Sequence, residues 1–172
     1  MADVGERPSP EAVIQAISEF RTAVSLRPYN SRYHDNLGIA LEEAEQTDQA
    51  LAEYRTAVRL APVTRSSPDT APWDNYQFLG NLHIGIGYIL LGHKDTKGAI
   101  LELQQALQYD SNRLDVENDL AGLLNQTGHR KEARALWQDV LTKFPRVYPD
   151  GYRTSHFGLD AQTMLTKYPE QP

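Results

Sequence analysis

Small and large apolar side chains alternate along this chain at the spacing of an amphipathic helix, i, i+4 and i+7, with mostly polar residues between them. One large residue stands between two smaller ones. The sequence therefore predicts an apolar stripe in which a protruding side chain lies between two recesses. The stripe occurs four times, as Ala16, Phe20 and Ala23, as Ala50, Tyr54 and Ala57, as Ala99, Leu103 and Ala106, and as Ala133, Trp137 and Val140. The first and second copies are 34 residues apart, as are the third and fourth. A constant offset indicates one structural element that is built several times.

A second apolar pattern precedes each of the last three stripes. It consists of two large aliphatic residues with a small residue on the same helix face, and its copies are Leu37, Gly38 and Leu41, then Ile86, Gly87 and Leu90, then Leu120, Ala121 and Leu124. The offset is 49 residues between the first two copies and 34 between the last two. About 15 residues are therefore inserted between the first copy and the second. The small residue lets a neighbouring helix approach closely. The sequence therefore predicts hairpins of two helices each.

Capping and turn residues set the expected helix bounds. Ser9 and Pro10 predict the start of the first helix, because serine caps an N-terminus and proline is tolerated at the first helical position. We expect a helix from Pro10 to Leu26 and further helices near 32–45, 47–60, 73–92, 95–108, 113–126, 129–143 and 159–167.

Prolines and glycines mark the expected helix ends. Pro28, Pro62 and Pro145 each follow a second helix and are expected to end it, because proline cannot continue the hydrogen-bond ladder. Gly92 and Gly128 are expected to end first helices in a left-handed conformation.

These patterns resemble the tetratricopeptide repeat family, whose unit is a helix–turn–helix of about 34 residues. The repeat at 31–64 matches best, with the motif residues Leu37, Gly38, Leu41, Ala50, Tyr54, Ala57 and Pro62. The first motif position, often tryptophan in the family, holds His34, His83 and Glu117 here. The resemblance covers roughly residues 10–147. It implies an all-α fold, a right-handed superhelical array of helix-turn-helix repeats (an α-solenoid).

The register of the repeats predicts the organisation of the chain. We expect a disordered arm at 1–9, a half repeat at 10–30, repeats at 31–64, 80–113 and 114–147, an insertion at 65–79, and a turn-rich segment with a capping helix at 148–172. The half repeat lacks its first helix, so its helix is expected to expose Val13, Ile14 and Ile17. That face is a candidate for self-association or for docking a neighbouring segment, and capping by the N-terminal arm is the alternative.

Composition excludes several classes of protein. The chain has 172 residues and no cysteine, so it has neither disulfides nor thiolate metal sites. Its net charge of -6 argues against a general affinity for nucleic acid or for anionic membranes. No signal peptide is visible at the start, and the longest apolar run, 84–91, is too short to span a membrane. We expect a cytoplasmic protein.

The sequence shows no constellation of catalytic or metal-binding residues. The five histidines include no pair at the i, i+4 spacing of a helical metal site. Gly85 and Gly87 resemble the start of a dinucleotide fingerprint, but the third glycine is missing. We therefore predict no metal, no cofactor and no enzymatic activity.

The resemblance implies a binding surface. In the family, the first helices of successive repeats line a concave groove. By register this groove contains Arg32, Asp35, Asn36, Ile39, Glu42 and Glu43, then Asn81, Ile84, Tyr88 and Leu91, then Asp115, Asn118, Asp119, Gly122 and Asn125. Tyr88 and Ile84 are expected to form an apolar floor, and the asparagines can bond a peptide backbone through both donor and acceptor.

The acidic residues of this groove favour a neutral or basic protein or peptide as the partner. Family members that hold a chaperone C-terminal carboxylate need cations in the groove. The corresponding positions here hold Asn81 and Gly85, or in another register Asp115 and Asp119, so the resemblance does not imply a clamp for a chaperone carboxylate. We therefore predict a non-catalytic scaffold that binds a peptide or a helix. The alternatives are an oligomerising or structural segment of a larger protein, and a groove partly filled by the C-terminal helix.

Overall fold

A computed structural model describes residues 8–61, 72–147 and 156–169, and these residues form eight helices and no strand. Three parts of the predicted organisation lie outside the described residues: residues 1–7 of the arm at 1–9, residues 62–71 with Pro62 and the start of the insertion, and residues 148–155 and 170–172 of the C-terminal segment. The helices are α1 (Pro10–Leu26), α2 (Ser31–Glu43), α3 (Thr47–Leu60), α4 (Pro72–Gly92), α5 (Thr96–Tyr109), α6 (Leu114–Gln126), α7 (Arg130–Val147) and α8 (His156–Lys167). The predicted all-α class, helix-hairpin repeats of the α-solenoid type, is confirmed.

One predicted helix end and one predicted turn conformation are wrong. α7 continues through Pro145 to Val147. Pro145 has no N–H to donate to the carbonyl of Leu141, and because Leu141 is partly exposed that carbonyl can bond water instead. Gly92 is the last residue of α4 and is not left-handed; Lys94 takes the positive φ of 64°.

The left-handed residue recurs at one position of each repeat. Glu45, Lys94 and Gly128 have φ values of 58°, 64° and 90°. At each of these turns the N–H of the next residue donates to a leucine carbonyl of the first helix, as in the bond of 2.8 Å from His129 to Leu124. The turn geometry is therefore common to the repeats, and only Gly128 adopts it without a steric penalty.

The chain divides into two compact units, residues 1–75 and residues 76–172. In the N-terminal unit α2 packs against both α1 and α3. A Cβ added at Gly38 would lie 2.7 Å from the ring of Tyr54, so the two helices meet where the first helix has no side chain. The hydroxyl of Tyr54 donates to Glu42 at 2.8 Å and fixes the ring against α2.

In the C-terminal unit the same contact is built with other residues. A Cβ at Gly87 of α4 would lie 3.1 Å from Leu103 of α5. In the next repeat Ala121 and Trp137 are both fully buried in one hydrophobic core. α8 packs against α7 and α6 and buries Ala161 in that core, and Tyr168, the residue after α8, stacks on Trp137.

The first motif position holds a polar residue that pairs with the second helix of its own repeat. His34 lies 2.6 Å from Glu53 through Nδ1 and 2.9 Å from the carbonyl oxygen of Pro28 through Nε2. The His34 ring therefore has a polar oxygen partner at each of its two nitrogens. His83 repeats the contact with Glu102 at 2.7 Å.

In the last repeat the first motif position is a buried carboxyl. Glu117 is 2% exposed and lies 3.2 Å from the ammonium group of Lys143, which also contacts Asp139 at 2.6 Å. Burial raises the pKa of Glu117 to about 7, helped by the hydrogen bond with Asp139 and opposed by Lys143. The hydrogen bond from Lys143 holds the pKa of Asp139 below its ordinary value.

We predict that Gly38→Ala lowers the free energy of unfolding by about 1–2 kcal/mol, because the added methyl group overpacks the contact with Tyr54. Gly122→Ala on α6 is the matched control, since its Cβ would meet nothing within 4 Å. The control should gain roughly 0.5–1 kcal/mol from the higher helix propensity of alanine. Urea unfolding measures both changes. Equal gains in the two variants would contradict the close contact.

We also predict a pH dependence of stability that comes from Glu117. Its pKa rises from 4.5 in the unfolded chain to about 7 in the folded one, so its stabilising contribution is full below pH 4.5 and is lost as the pH rises through 7. Relative to Glu117→Gln, the wild-type protein should lose about 1–3 kcal/mol across this range. The exposed Glu43→Gln serves as the control and should follow the wild-type curve. Parallel curves for wild type and Glu117→Gln would contradict the assignment.

Candidate functional site

The predicted surface residues of the N-terminal unit follow the polar side of α2. Ile39 is 48% exposed, and Glu42 and Glu43 are exposed beside it. Asp35 is half-buried, and burial raises the pKa of its carboxyl to about 6 against the opposing charge of Arg32. This part of α2 is therefore an acidic surface that surrounds one exposed aliphatic side chain.

In the C-terminal unit, hydrogen bonds join the predicted residues of α4 to those of α6. The hydroxyl of Tyr88 donates to Asp119 at 2.6 Å. Arg113, the residue before α6, donates to Asp115 at 2.7 and 3.0 Å and to Asn81 at 2.9 Å. The first helices α4 and α6 are thus joined by polar contacts at two places, at Tyr88 and at Asn81.

These contacts fix the charge states of the cross-linked groups. Burial raises the pKa of Tyr88, and the hydrogen bond to Asp119 raises it further. Burial alone would raise the pKa of Asp115, but the hydrogen bonds and charge of Arg113 outweigh it and lower the pKa below its ordinary value. The hydrogen bond to Asp115 raises the pKa of Arg113 in turn. At neutral pH the surface therefore carries a neutral phenol and a neutralised ion pair, with Asp119 as the remaining acid.

Two predicted residues on α6 have polar atoms without a partner. The side-chain oxygens of Asn118 and Asn125 are buried and make no hydrogen bond among the described residues. Gly122 lies between them on the same face of the helix, and a Cβ there would meet nothing within 4 Å. We call Asn118, Gly122 and Asn125 the α6 face. Its two unpaired acceptors flank an open position, and a buried acceptor without a donor costs about 1–3 kcal/mol.

Ile84 does not lie on this surface as predicted. It is 9% exposed and packs in the hydrophobic core with Leu103 and Leu120. The expected apolar floor is therefore reduced to Tyr88, which is 39% exposed, and the half-buried Leu91.

Arg113 is the part of this surface that the sequence analysis missed. It is the last residue of its repeat and falls outside the register of the first-helix positions. The signal that could have identified it is chemical, since it is a cation two residues before Asp115 in a segment otherwise rich in acids.

The described residues contain no group of three or more His, Asp or Glu side chains that could hold a metal ion. Within the same part of the chain, no helix combines the length and the apolar character that crossing a bilayer requires.

Comparison with known proteins identifies the repeats. Sequence profiles of the tetratricopeptide repeat family match residues 31–64 and residues 90–150. No curated protein matches the sequence significantly.

Solved structures resemble the fold. The crystal structure of MamA is 15% identical, with a TM-score of 0.61 over 92% of this chain and 93% of MamA. YrrB, a tetratricopeptide repeat protein with an unusual peptide-binding site, is 17% identical, with a TM-score of 0.61 over 91% of this chain and 76% of YrrB. PilF from Pseudomonas aeruginosa is 18% identical, with a TM-score of 0.57 over 90% of this chain and 68% of PilF. At such identities the likeness shows the fold alone.

We predict that Tyr88→Phe lowers the free energy of unfolding by about 0.5–1.5 kcal/mol, because it removes the hydrogen bond between α4 and Asp119. The matched control is Tyr76→Phe, since the ring of Tyr76 contacts Tyr109 and its hydroxyl makes no hydrogen bond among the described residues. The control should unfold at the wild-type urea concentration. A loss of the same size in both variants would show that the cross-link does not stabilise the unit.

Proposed function

The chain belongs to the tetratricopeptide repeat family, and we propose that it is a non-catalytic scaffold that binds an extended peptide on the first-helix surface of its C-terminal unit. This surface consists of Asn81, Tyr88, Asp115, Asn118, Asp119 and Asn125. The observation that carries the proposal is the α6 face, where the unpaired oxygens of Asn118 and Asn125 flank the open position at Gly122.

The two oxygens are buried in the free protein, and we expect the asparagine side chains to rotate toward the open position at Gly122, where the backbone N–H groups of a bound peptide supply the donors that they lack. Backbone N–H groups of an extended segment alternate in direction, so a strand that passes Gly122 can donate to an asparagine on either side. The absence of a side chain at Gly122 allows the backbone of the peptide to approach α6 closely. Each hydrogen bond removes the cost of a buried acceptor, which makes the two asparagines the expected centres of affinity.

The polar contacts beside the α6 face hold the surface in place. Tyr88 and Asp119 are joined across α4 and α6, and Arg113 is committed to Asp115 and Asn81. Their side chains are therefore ordered before a ligand binds, which lowers the entropy cost of association. Asp119 is the remaining acid on this surface and favours a neutral or basic peptide over an acidic one.

We predict that the variant with both Asn118→Ala and Asn125→Ala binds peptides at least tenfold more weakly than the wild-type protein, because two hydrogen bonds are lost. The probes are synthetic peptides selected on the wild-type chain from a phage-displayed random library, and isothermal titration calorimetry measures their Kd. Gln105→Ala, an exposed amide on α5, is the matched control and should bind within twofold of wild type.

A second variant, Gly122→Arg, should abolish binding while its helical circular dichroism stays unchanged, because the position is open in the free protein. Selected peptides that bind both α6 variants as tightly as wild type would overturn the proposed surface. Failure to enrich any peptide would count against the function itself.

A further inference from the structure

The apolar stripe of α1 differs from its three repeats in one respect. In α3, α5 and α7 the stripe is buried by the first helix of the same hairpin, and Tyr54, Leu103 and Trp137 are all less than 5% exposed. In α1 the corresponding Ala16, Phe20 and Ala23 are only half-buried. Among the described residues, α2 covers one side of α1, and no helix takes the place of a first helix.

The uncovered side of the stripe is the wall of a groove between α1 and α2. α1 contributes Val13, Ala16 and Phe20, and α2 contributes Ile39, Ala40 and Glu43. Asn36 adds one amide to an otherwise apolar lining, and Glu43 stands exposed at one edge and makes no ion pair among the described residues. We call these seven residues the α1–α2 groove.

We propose that the α1–α2 groove binds one amphipathic helix of a partner protein, with a small residue at the centre of its apolar face and a basic side chain toward Glu43. This surface lies in the N-terminal unit, and the inference does not rest on the peptide surface of the C-terminal unit.

The repeats themselves indicate a helix as the occupant. Each complete hairpin covers its stripe with a helix whose central small residue meets the large one, as Gly38 meets Tyr54 and Gly87 meets Leu103. Phe20 is the large residue of the open stripe, so a helix with the pattern Leu-Gly-x-x-Leu offers it the same contact. An extended peptide presents side chains to both sides and covers such a stripe less completely.

The chemistry of α2 indicates the polar side of the occupant. Asn36 precedes Leu37-Gly38 as Asp119 precedes Leu120-Ala121, and Asp119 is the residue that accepts a hydrogen bond from the preceding first helix. Asn36 is thus placed to bond a hydroxyl or an amide of the partner helix. Glu42 and Glu43 give this edge a negative charge, which a lysine or arginine of the partner complements.

The test uses a fluorescein-labelled synthetic peptide of 18 residues with one Leu-Gly-x-x-Leu face, one lysine at the edge of that face, and helix-favouring alanine and glutamine at its other positions. Fluorescence anisotropy measures its binding to the full chain.

We expect saturable binding that weakens at least tenfold for Ile39→Glu, which places a charge in the groove. Ile14→Glu is the matched control, since Ile14 is 68% exposed on α1 outside the groove and should leave the Kd within twofold. A peptide with phenylalanine in place of the central glycine should bind at least tenfold more weakly.

Three results would overturn the proposal. The first is no saturable binding to the wild-type chain, and the second is equal affinity for wild type and Ile39→Glu with both folded by circular dichroism. The third is a concentration-dependent dimer in light scattering that Ile39→Glu converts to monomer, which would make a second copy of this chain the occupant. Neither Asn118→Ala nor Gly122→Arg should alter the binding of the synthetic helix, so failure here is distinct from failure of the peptide surface.

Discussion

The contact between one small residue of a first helix and one large residue of its second helix determines how each hairpin is assembled. Gly38 meets Tyr54, Gly87 meets Leu103, and Ala121 shares a core with the buried Trp137. Because a large side chain can enter the other helix at one point only, this contact fixes the rotation of both helices about their axes. The polar positions of the first helix are then left on the surface, where Asn118 and Tyr88 lie.

The regular part of this arrangement could be predicted from the sequence, because hydrophobic periodicity is a local property. The departures have local causes that simple rules do not capture. Pro145 is accepted near an exposed helix end, and Lys94 adopts a left-handed conformation that the repeated turn imposes on whichever residue stands there. Intrinsic conformational propensity disfavours proline in a helix and lysine in a left-handed turn, but the geometry of the hairpin overrides these preferences.

The contacts between histidine and glutamate were not predicted, although the sequence contains a signal for them. His34 and Glu53 recur 49 residues later as His83 and Glu102, so the two contacts could have been predicted from the repeated spacing of histidine and glutamate. The burial of Ile84 was not visible in this way, because its register places it at the boundary between the core and the surface. The unpaired oxygens of Asn118 and Asn125 also require coordinates, since the type of a residue does not tell whether its partners are in reach.

The central claim is that peptides bind on the first helices of the C-terminal unit, while its second helices maintain the hairpins. Amide chemical-shift mapping by NMR, with a peptide selected on the ¹⁵N-labelled chain, tests it most directly. We expect the shifts to concentrate in α4 and α6, with the largest changes at Asn118, Gly122 and Asn125 and none on the exposed sides of α5 and α7. Shifts concentrated on α5 and α7 would contradict the account.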